Sequence, residues 1–234
     1  MHADLDLHVY RNAELLARGA ADAVATELGW AIQRRGVATF AISGGRTPWR
    51  MLAALTRHPV QWSSVEIFQV DERAVPDDDP DRNLTGLRRA LLDVVGVAPE
   101  RVHTIPIGAD LDACAEQYES ELRAVCDGTL DVVHLGLGPD GHTASLVPGD
   151  PVCTLDDRFV ATTGEYQGHR RITLTFPALA AARSLIWLVD GVEKAPALHR
   201  LLEADPSIPA GLVPHDHAHF FCDLAAMGER PGEG

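Results

Sequence analysis

Short apolar runs that alternate with helix-like segments are the feature that most restricts how this chain can fold. The runs VATFAI, VEIFQV, LDVVHLG and SLIWLV are nearly uninterrupted, as in strands covered on both faces. The intervening segments carry apolar residues at helical spacing. This alternation predicts right-handed crossovers and an α/β fold, a mainly parallel sheet with helices on both faces. We expect one domain over residues 1–234.

Local signals set the expected element boundaries. Asn12 is a suitable N-cap for the first helix, which should end near Gly36, and Pro48 suits the first turn of a second helix. Asn83 is the expected cap of a helix over 84–95, after a polar loop over 71–83. Further helices are expected over 111–125, from 177, over 192–204 and at the C-terminus, and further strands near 102–107, 158–162, 171–176 and 219–223.

Charge and composition restrict the partners. Asp and Glu total 34 against 20 Lys and Arg, a net charge of −14, which disfavours nucleic acid and anionic membranes as partners. No apolar stretch approaches the roughly 18 residues of a membrane helix, and the first residues do not resemble a signal peptide. The four cysteines show no C-x-x-C spacing, which is typical of reduced thiols. We therefore expect a cytoplasmic protein.

Four polar segments, 43–47, 71–73, 136–142 and 190–194, follow apolar runs. Because ligands bind beyond the carboxyl ends of parallel strands, we expect these segments to converge on one site.

The first polar segment, SGGRTP, joins a strand to a helix. Gly44 and Gly45 allow close approach of the backbone to a ligand, Thr47 adds a hydroxyl, and Arg46 adds a charge. The segment lacks the G-K-[ST] ending of a nucleotide loop. A tight turn without a ligand explains the same residues equally well.

The second segment, VDERAVP, places two acids and an arginine after a strand. Asp71 and Glu72 are candidates for acid–base work, and Arg73 is a candidate phosphate ligand. The alternative is a solvated loop. The following DDDPD run is itself expected to be solvated, with an acidic loop for a divalent ion as its alternative, although its carboxylates lack the spacing of an EF-hand.

The third segment spells G-x-G-x-x-G with Gly136, Gly138 and Gly141. A dinucleotide would need a helix directly after it, and Pro148 and Pro151 exclude an unbroken one. We therefore expect no nicotinamide cofactor here.

His142, in the same loop, is a candidate general base. A neutral imidazole can take a proton from water, Asp140 can orient that imidazole, and glycine amides can meet a developing oxyanion. The alternative is an Asp-Gly turn followed by an incidental histidine.

The remaining candidates are basic residues and other histidines. Lys194 in the first turn of a helix, with Arg171 and Arg73 at strand ends, predicts a phosphate pocket. His134, inside an apolar strand, is expected to be a hydrogen-bonded core histidine. The alternate spacing of HDHAH would place His215, His217 and His219 on one strand face as metal ligands, but nothing completes such a set, so we expect no metal site.

Taken in order, these segments resemble the glucosamine-6-phosphate isomerase/6-phosphogluconolactonase superfamily, on its lactonase side. The resemblance spans about residues 40–225, and its segments are SGGRTP, VDERAVP, LGLGPDGHTASLVPG, RRITLTFPAL, DGVEKAPAL, SIPAGLV and FFCDLAA.

The resemblance implies hydrolysis of 6-phosphoglucono-1,5-lactone on a three-layer Rossmann-like fold without a cofactor. It implies that His142 is the general base, aided by Asp140, and that Arg171 is a cation near the lactone. It also implies that the substrate contacts include Gly44, Gly45, Thr47, Arg73 and Lys194, to which we add Asp71. The expected partner is a phosphosugar lactone, and the expected state is a monomer or weak homodimer.

The alternatives are a deaminase of the same superfamily and a non-catalytic sugar-phosphate sensor. The deaminase motif D-G-H-I-A-F-N-E-P-G has a glutamate five residues after the histidine, where this chain has Val147. Arg46 and Arg82 depart from the residues common in the family, and we do not assign them to the site.

Overall fold

A computed structural model describes residues 5–77 and 79–228. In these ranges the chain forms ten strands: β1 Asp6–Tyr10, β2 Ala38–Ile42, β3 Val65–Gln69, β4 Asp71–Arg73, β5 Val102–His103, β6 Val132–Gly136, β7 Val160–Thr162, β8 Arg171–Leu174, β9 Leu185–Val189 and β10 Ala218–Asp223. The helices in the same ranges are α1 Ala13–Arg35, α2 Arg46–Leu55, α3 Asn83–Leu87, α4 Asp93–Val95, α5 Leu111–Cys126, α6 Phe176–Ala180 and α7 Ala195–Leu202.

Seven strands form one sheet in the order β1-β10-β9-β6-β2-β3-β5, and every pair is parallel. Successive side chains of a strand point to opposite faces. In β2, Phe40 packs with α1 and α2 on one face, and Ala41 packs with α5 and α7 on the other. The predicted three-layer α/β architecture, with a mainly parallel sheet, is confirmed.

Helix α1 shows how closely local signals can predict an element. The Asn12 side chain accepts hydrogen bonds from the amides of Glu14 and Leu15, at 3.1 and 3.0 Å. The helix ends at Gly36, whose φ of 79° is in the left-handed region that glycine tolerates. Both predicted ends are confirmed.

A second sheet is antiparallel, in the order β4-β8-β7. The polar loop predicted over 71–83 is wrong for its first three residues, because β4 follows β3 after a single residue and pairs with β8. The sequence of β4 is charged and does not indicate a strand, because its partner β8 lies about a hundred residues away along the chain. In this pairing Asp71 lies opposite Thr173.

The segment after this loop also differs from its prediction. The N-cap position of α3 is Arg82, and the Asn83 side chain donates to the carbonyl of Asp71 instead of capping the helix. The expected continuous helix is interrupted by a π-helical turn, Arg88–Leu92.

The chain ends differ as well. Strand β1 was not predicted, and residues 224–228 form turns where a terminal helix was expected. Asp78 of the DDDPD run and residues 1–4 and 229–234 lie outside the described residues. None of the described helices is long and apolar enough to cross a membrane.

Candidate active site

A cleft of about 510 Å³ lies at the carboxyl edge of the parallel sheet. Strands β3 and β6 flank β2, so the connections diverge there and open a crevice between neighbouring loops. All four predicted polar segments contribute to its wall. The predicted site residues that line it are Gly44, Gly45, Thr47, Asp71, Arg73, His142, Arg171 and Lys194.

Asp140, the remaining predicted residue, lies behind His142. One oxygen of its carboxylate is 2.6 Å from the Nδ1 of His142 and accepts the backbone amide of His142 at 3.2 Å. Burial raises the pKa of Asp140, but attraction to His142 and these hydrogen bonds lower it overall, so Asp140 is the anionic partner. With Nδ1 directed at a carboxylate, Nε2 is the nitrogen available as a base.

The glycines of this loop leave room for the imidazole of His142. A Cβ on Gly138 would lie 2.1 Å from the Nδ1 of His142, so only glycine leaves room for the ring. Gly141 has a φ of 86°. Residues 137–150 contain no helix, which agrees with the predicted exclusion of a dinucleotide turn.

Positive charge accumulates in the cleft against the net charge of −14. Arg46, Arg73, Arg171 and Lys194 all line it. Burial lowers the pKa of Arg171, and the charge of Asp71 opposes this shift. The Nε of Arg171 is buried and has no hydrogen-bond partner among the described residues. A buried guanidinium with an unused donor is well suited to an anionic or carbonyl oxygen.

The SGGRTP segment forms a strand-to-helix turn. Gly45 has a φ of 128°, and no side chain in the described part of the chain caps the amides that begin α2. A Cβ on Gly44 would lie 1.9 Å from the Oδ1 of Asn83, so the close approach requires glycine there. The hydroxyl of Thr47 donates to Asp190, whose carboxylate lies 4.0 Å from the Nζ of Lys194. The Thr47–Asp190 hydrogen bond therefore joins the first and the fourth of the predicted polar segments.

The two adjacent acids have different surroundings. Asp71 lines the cleft and accepts a 2.6 Å hydrogen bond from the hydroxyl of Ser145. Glu72 has no exposed surface and accepts hydrogen bonds from the side chain of Gln69 and from three backbone amides. Burial raises the pKa of Glu72, and these hydrogen bonds oppose the rise. Glu72 therefore organises the loop and does not line the cleft.

Several cleft residues were not predicted. Asn83, Gln167 and Glu193 line the wall, and Tyr166 contacts the Asp140–His142 pair from behind. The one local signal was Gly168, because glycine tolerates the positive φ that a two-residue hairpin turn requires. Arg46 lines the cleft, whereas Arg82 is buried, and its guanidinium donates to the carbonyl of Val75.

The other histidines differ from their predictions. His134 is buried as predicted, but within residues 5–77 and 79–228 neither ring nitrogen has a hydrogen-bond partner, so the prediction of a hydrogen-bonded ring is wrong there. Burial and the charge of Lys194 lower its pKa to about 3, so the ring is neutral. His215 and His217 precede β10, so the three histidines of HDHAH do not share a strand face. The described residues contain no group that could hold a metal ion.

The chain is similar in sequence and in structure to known proteins. Residues 11–222 match the family described as "Glucosamine-6-phosphate isomerases/6-phosphogluconolactonase". A 6-phosphogluconolactonase of Synechocystis is 39% identical over 83% of this chain and 85% of its own, and one of Streptomyces coelicolor is 37% identical over 96% and 94%. The crystal structure of a Thermotoga maritima 6-phosphogluconolactonase superposes with a TM-score of 0.84 at 26% identity, over 93% of this chain and 98% of its own.

Proposed function

Because the chain belongs to the glucosamine-6-phosphate isomerase/6-phosphogluconolactonase family, we propose that His142 is the general base of a lactone hydrolase. The chain hydrolyses 6-phosphoglucono-1,5-lactone to 6-phosphogluconate, a step of the pentose phosphate pathway, and its relatives carry the name 6-phosphogluconolactonase. The single observation that supports the role of His142 is its 2.6 Å contact with Asp140 at the wall of a cationic cleft.

The reaction needs one proton carrier. Nε2 of His142 takes a proton from water as the water oxygen attacks the lactone carbonyl carbon. The carbonyl oxygen becomes an oxyanion, and the guanidinium of Arg171, with its unused Nε, stabilises that charge. The tetrahedral intermediate then collapses, the bond from carbon to the ring oxygen breaks, and the imidazolium returns its proton to that oxygen. Asp140 stabilises the imidazolium while it carries the proton.

The remaining site residues hold the substrate. We assign the phosphate and sugar contacts to Gly44, Gly45, Thr47, Arg73 and Lys194, and a sugar hydroxyl to Asp71. The glycine turn and the open amides of α2 favour an anion, and Arg73 offers a planar fork for phosphate oxygens.

The last part of the proposal concerns cofactors, cellular location, oligomeric state and partners. We propose that the enzyme acts without a cofactor or metal in the cytoplasm, as one domain, and as a monomer or weak homodimer. His142 carries one proton of the water to the ring oxygen, and the other leaves the new carboxyl group for solvent as that group ionises. The net charge of −14 disfavours nucleic acid as a partner. Sedimentation of the purified protein measures the oligomeric state.

A deaminase would need a proton-exchanging side chain five residues after the histidine. That position is Val147, which is buried and is not among the residues of the cleft wall. Its side chain carries no ionisable group, so the loop supports hydrolysis and not amine release.

The test is a coupled assay of lactone hydrolysis, corrected for the spontaneous reaction. Loss of a well-placed general base costs about 10²–10⁴ in rate, so His142→Ala should lose at least 100-fold in kcat while still binding 6-phosphogluconate. His199→Ala, at an exposed helix position, is the matched control and should retain full activity. Full turnover by His142→Ala would contradict the assignment of the base. Ammonia release from glucosamine 6-phosphate would favour the deaminase.

A further inference from the structure

A tight hairpin connects β7 to β8 beside the cleft. Tyr166 and His169 form an isolated antiparallel pair at its end. Between them Gln167 and Gly168 have φ values of 52° and 82°, the two positive values that a type I′ turn requires. This turn brings Gln167 to the cleft wall and holds Tyr166 against the back of the Asp140–His142 pair.

The hydroxyl of Tyr166 completes the hydrogen bonding of Asp140. It donates to the second carboxylate oxygen at 3.0 Å, while the first oxygen faces the Nδ1 of His142 at 2.6 Å. With both oxygens engaged, the carboxylate cannot rotate about its last bond without breaking a hydrogen bond to one partner. Burial raises the pKa of Tyr166, and the adjacent carboxylate raises it further, so the phenol keeps the proton that it donates.

The ring of Tyr166 contacts the two functional groups on either side of it. It lies edge-on to the imidazole of His142, with the ring centroids 5.4 Å apart and an interplanar angle of 66°. The guanidinium carbon of Arg171 lies 5.2 Å from the centroid of the same ring. Arg171 also donates to the carbonyl of Tyr166 at 3.4 Å. One side chain therefore contacts the carboxylate, the base and the buried cation.

We propose that Tyr166 is a positioning residue for lactone hydrolysis, which aligns the Asp140–His142 pair and the guanidinium of Arg171 with each other. This inference rests on the proposed function of His142. Tyr166 does not line the cleft wall, so it acts through its neighbours and not on the substrate. Its hydroxyl acts on proton transfer through Asp140, and its ring acts on the placement of Arg171.

The hydroxyl is tested by Tyr166→Phe, which keeps the ring. Because a hydrogen bond to a charged group is lost, kcat should fall about 5- to 20-fold, while KM stays within about twofold. Tyr10→Phe, on the distant strand β1, is the matched control and should leave both constants unchanged. Tyr166→Leu removes the ring as well, and we expect it to raise KM in addition, because Arg171 loses its support.

A double-mutant cycle separates positioning from general structure. In an Asp140→Ala background the hydroxyl has no side chain at position 140 to fix, so adding Tyr166→Phe should change kcat by less than about twofold. Independent effects that multiply in the double variant, or a wild-type kcat for Tyr166→Phe, would overturn the proposal.

The single variants distinguish a failure of the role of Tyr166 from a failure of the role of His142. If the wild-type chain hydrolyses the lactone, His142→Ala does not, and Tyr166→Phe matches the wild type, the role of Tyr166 alone fails. If His142→Ala retains full turnover, the proposed base fails, whatever the tyrosine variants show.

Discussion

Arg73 and Arg171 lie directly opposite each other on the adjacent antiparallel strands β4 and β8, at the wall of the cleft. Like charges in register destabilise a strand pair, by roughly 0.2–1 kcal/mol. The carboxylate of Asp81, 3.6 Å from Arg73, offsets part of this repulsion. With Arg73 at the substrate phosphate and Arg171 at the developing oxyanion, as we propose, bound substrate would offset the remainder, so we expect the pair to serve binding.

The first prediction concerns this pair. Arg73→Gln should raise KM for the lactone by about tenfold or more, because it removes a charge-assisted phosphate contact. The free energy of unfolding without ligand should stay within about 1 kcal/mol of the wild-type value, since the lost Asp81 contact and the relieved repulsion oppose each other. Steady-state kinetics and urea unfolding measure the two quantities. Arg89→Gln, on an exposed helical position, is the control and should leave KM unchanged.

The second prediction concerns Gly138. Gly138→Ala should lower kcat at least tenfold, because a Cβ there would lie 2.1 Å from the Nδ1 of His142 and 2.6 Å from the Oδ1 of Asp140. Gly136→Ala is the control, since a Cβ at that position meets nothing within 4 Å. Comparable losses in both variants would show that any added methyl group in this loop harms the enzyme, and that displacement of the pair is not the cause.

The elements that the sequence predicted well are those whose signals are local. The cap at Asn12 and the left-handed end at Gly36 act within a few residues, so the bounds of α1 could be predicted from them. The convergence of the four polar segments followed from one rule about parallel strands, together with apolar runs that mark buried strands.

The features that escaped prediction depend on distant partners. β4 has a charged sequence and exists because β8 pairs with it. Strand β1 is the edge of the sheet, with a mixed sequence that gains its conformation from β10. Nothing near Tyr166 indicates that Asp140 lies within hydrogen-bond distance, because 26 residues separate them along the chain.

The third prediction concerns Glu72. Glu72→Gln should lower the free energy of unfolding by about 2 kcal/mol or more, because an amide nitrogen cannot accept and leaves buried donors unpaired. It also removes the buried carboxylate that lies 3.6 Å from Arg82. Urea unfolding at neutral pH measures the change. Glu116→Gln, at an exposed position of α5, is the control, and its free energy of unfolding should be unchanged.

The fourth prediction concerns the contribution of His134 to the free energy of unfolding at acidic pH. Its pKa is about 3 in the folded protein, below the ordinary value of 6.5, because burial and the charge of Lys194 disfavour the imidazolium. The unfolded chain takes up a proton below pH 6.5 while the folded protein does not, so the protein loses stability as the pH falls from about 6.5 toward 3.

Replacing this histidine removes that dependence. Between pH 7 and pH 5, His134 alone should cost about 2 kcal/mol of unfolding free energy, a loss that His134→Leu should not show. The leucine also removes two buried nitrogens that no described residue hydrogen-bonds, so at pH 7 the variant should be at least as stable as the wild type. Urea unfolding at both pH values measures the difference, with His199→Leu as the exposed control. Equal losses in wild type and His134→Leu would contradict the depressed pKa.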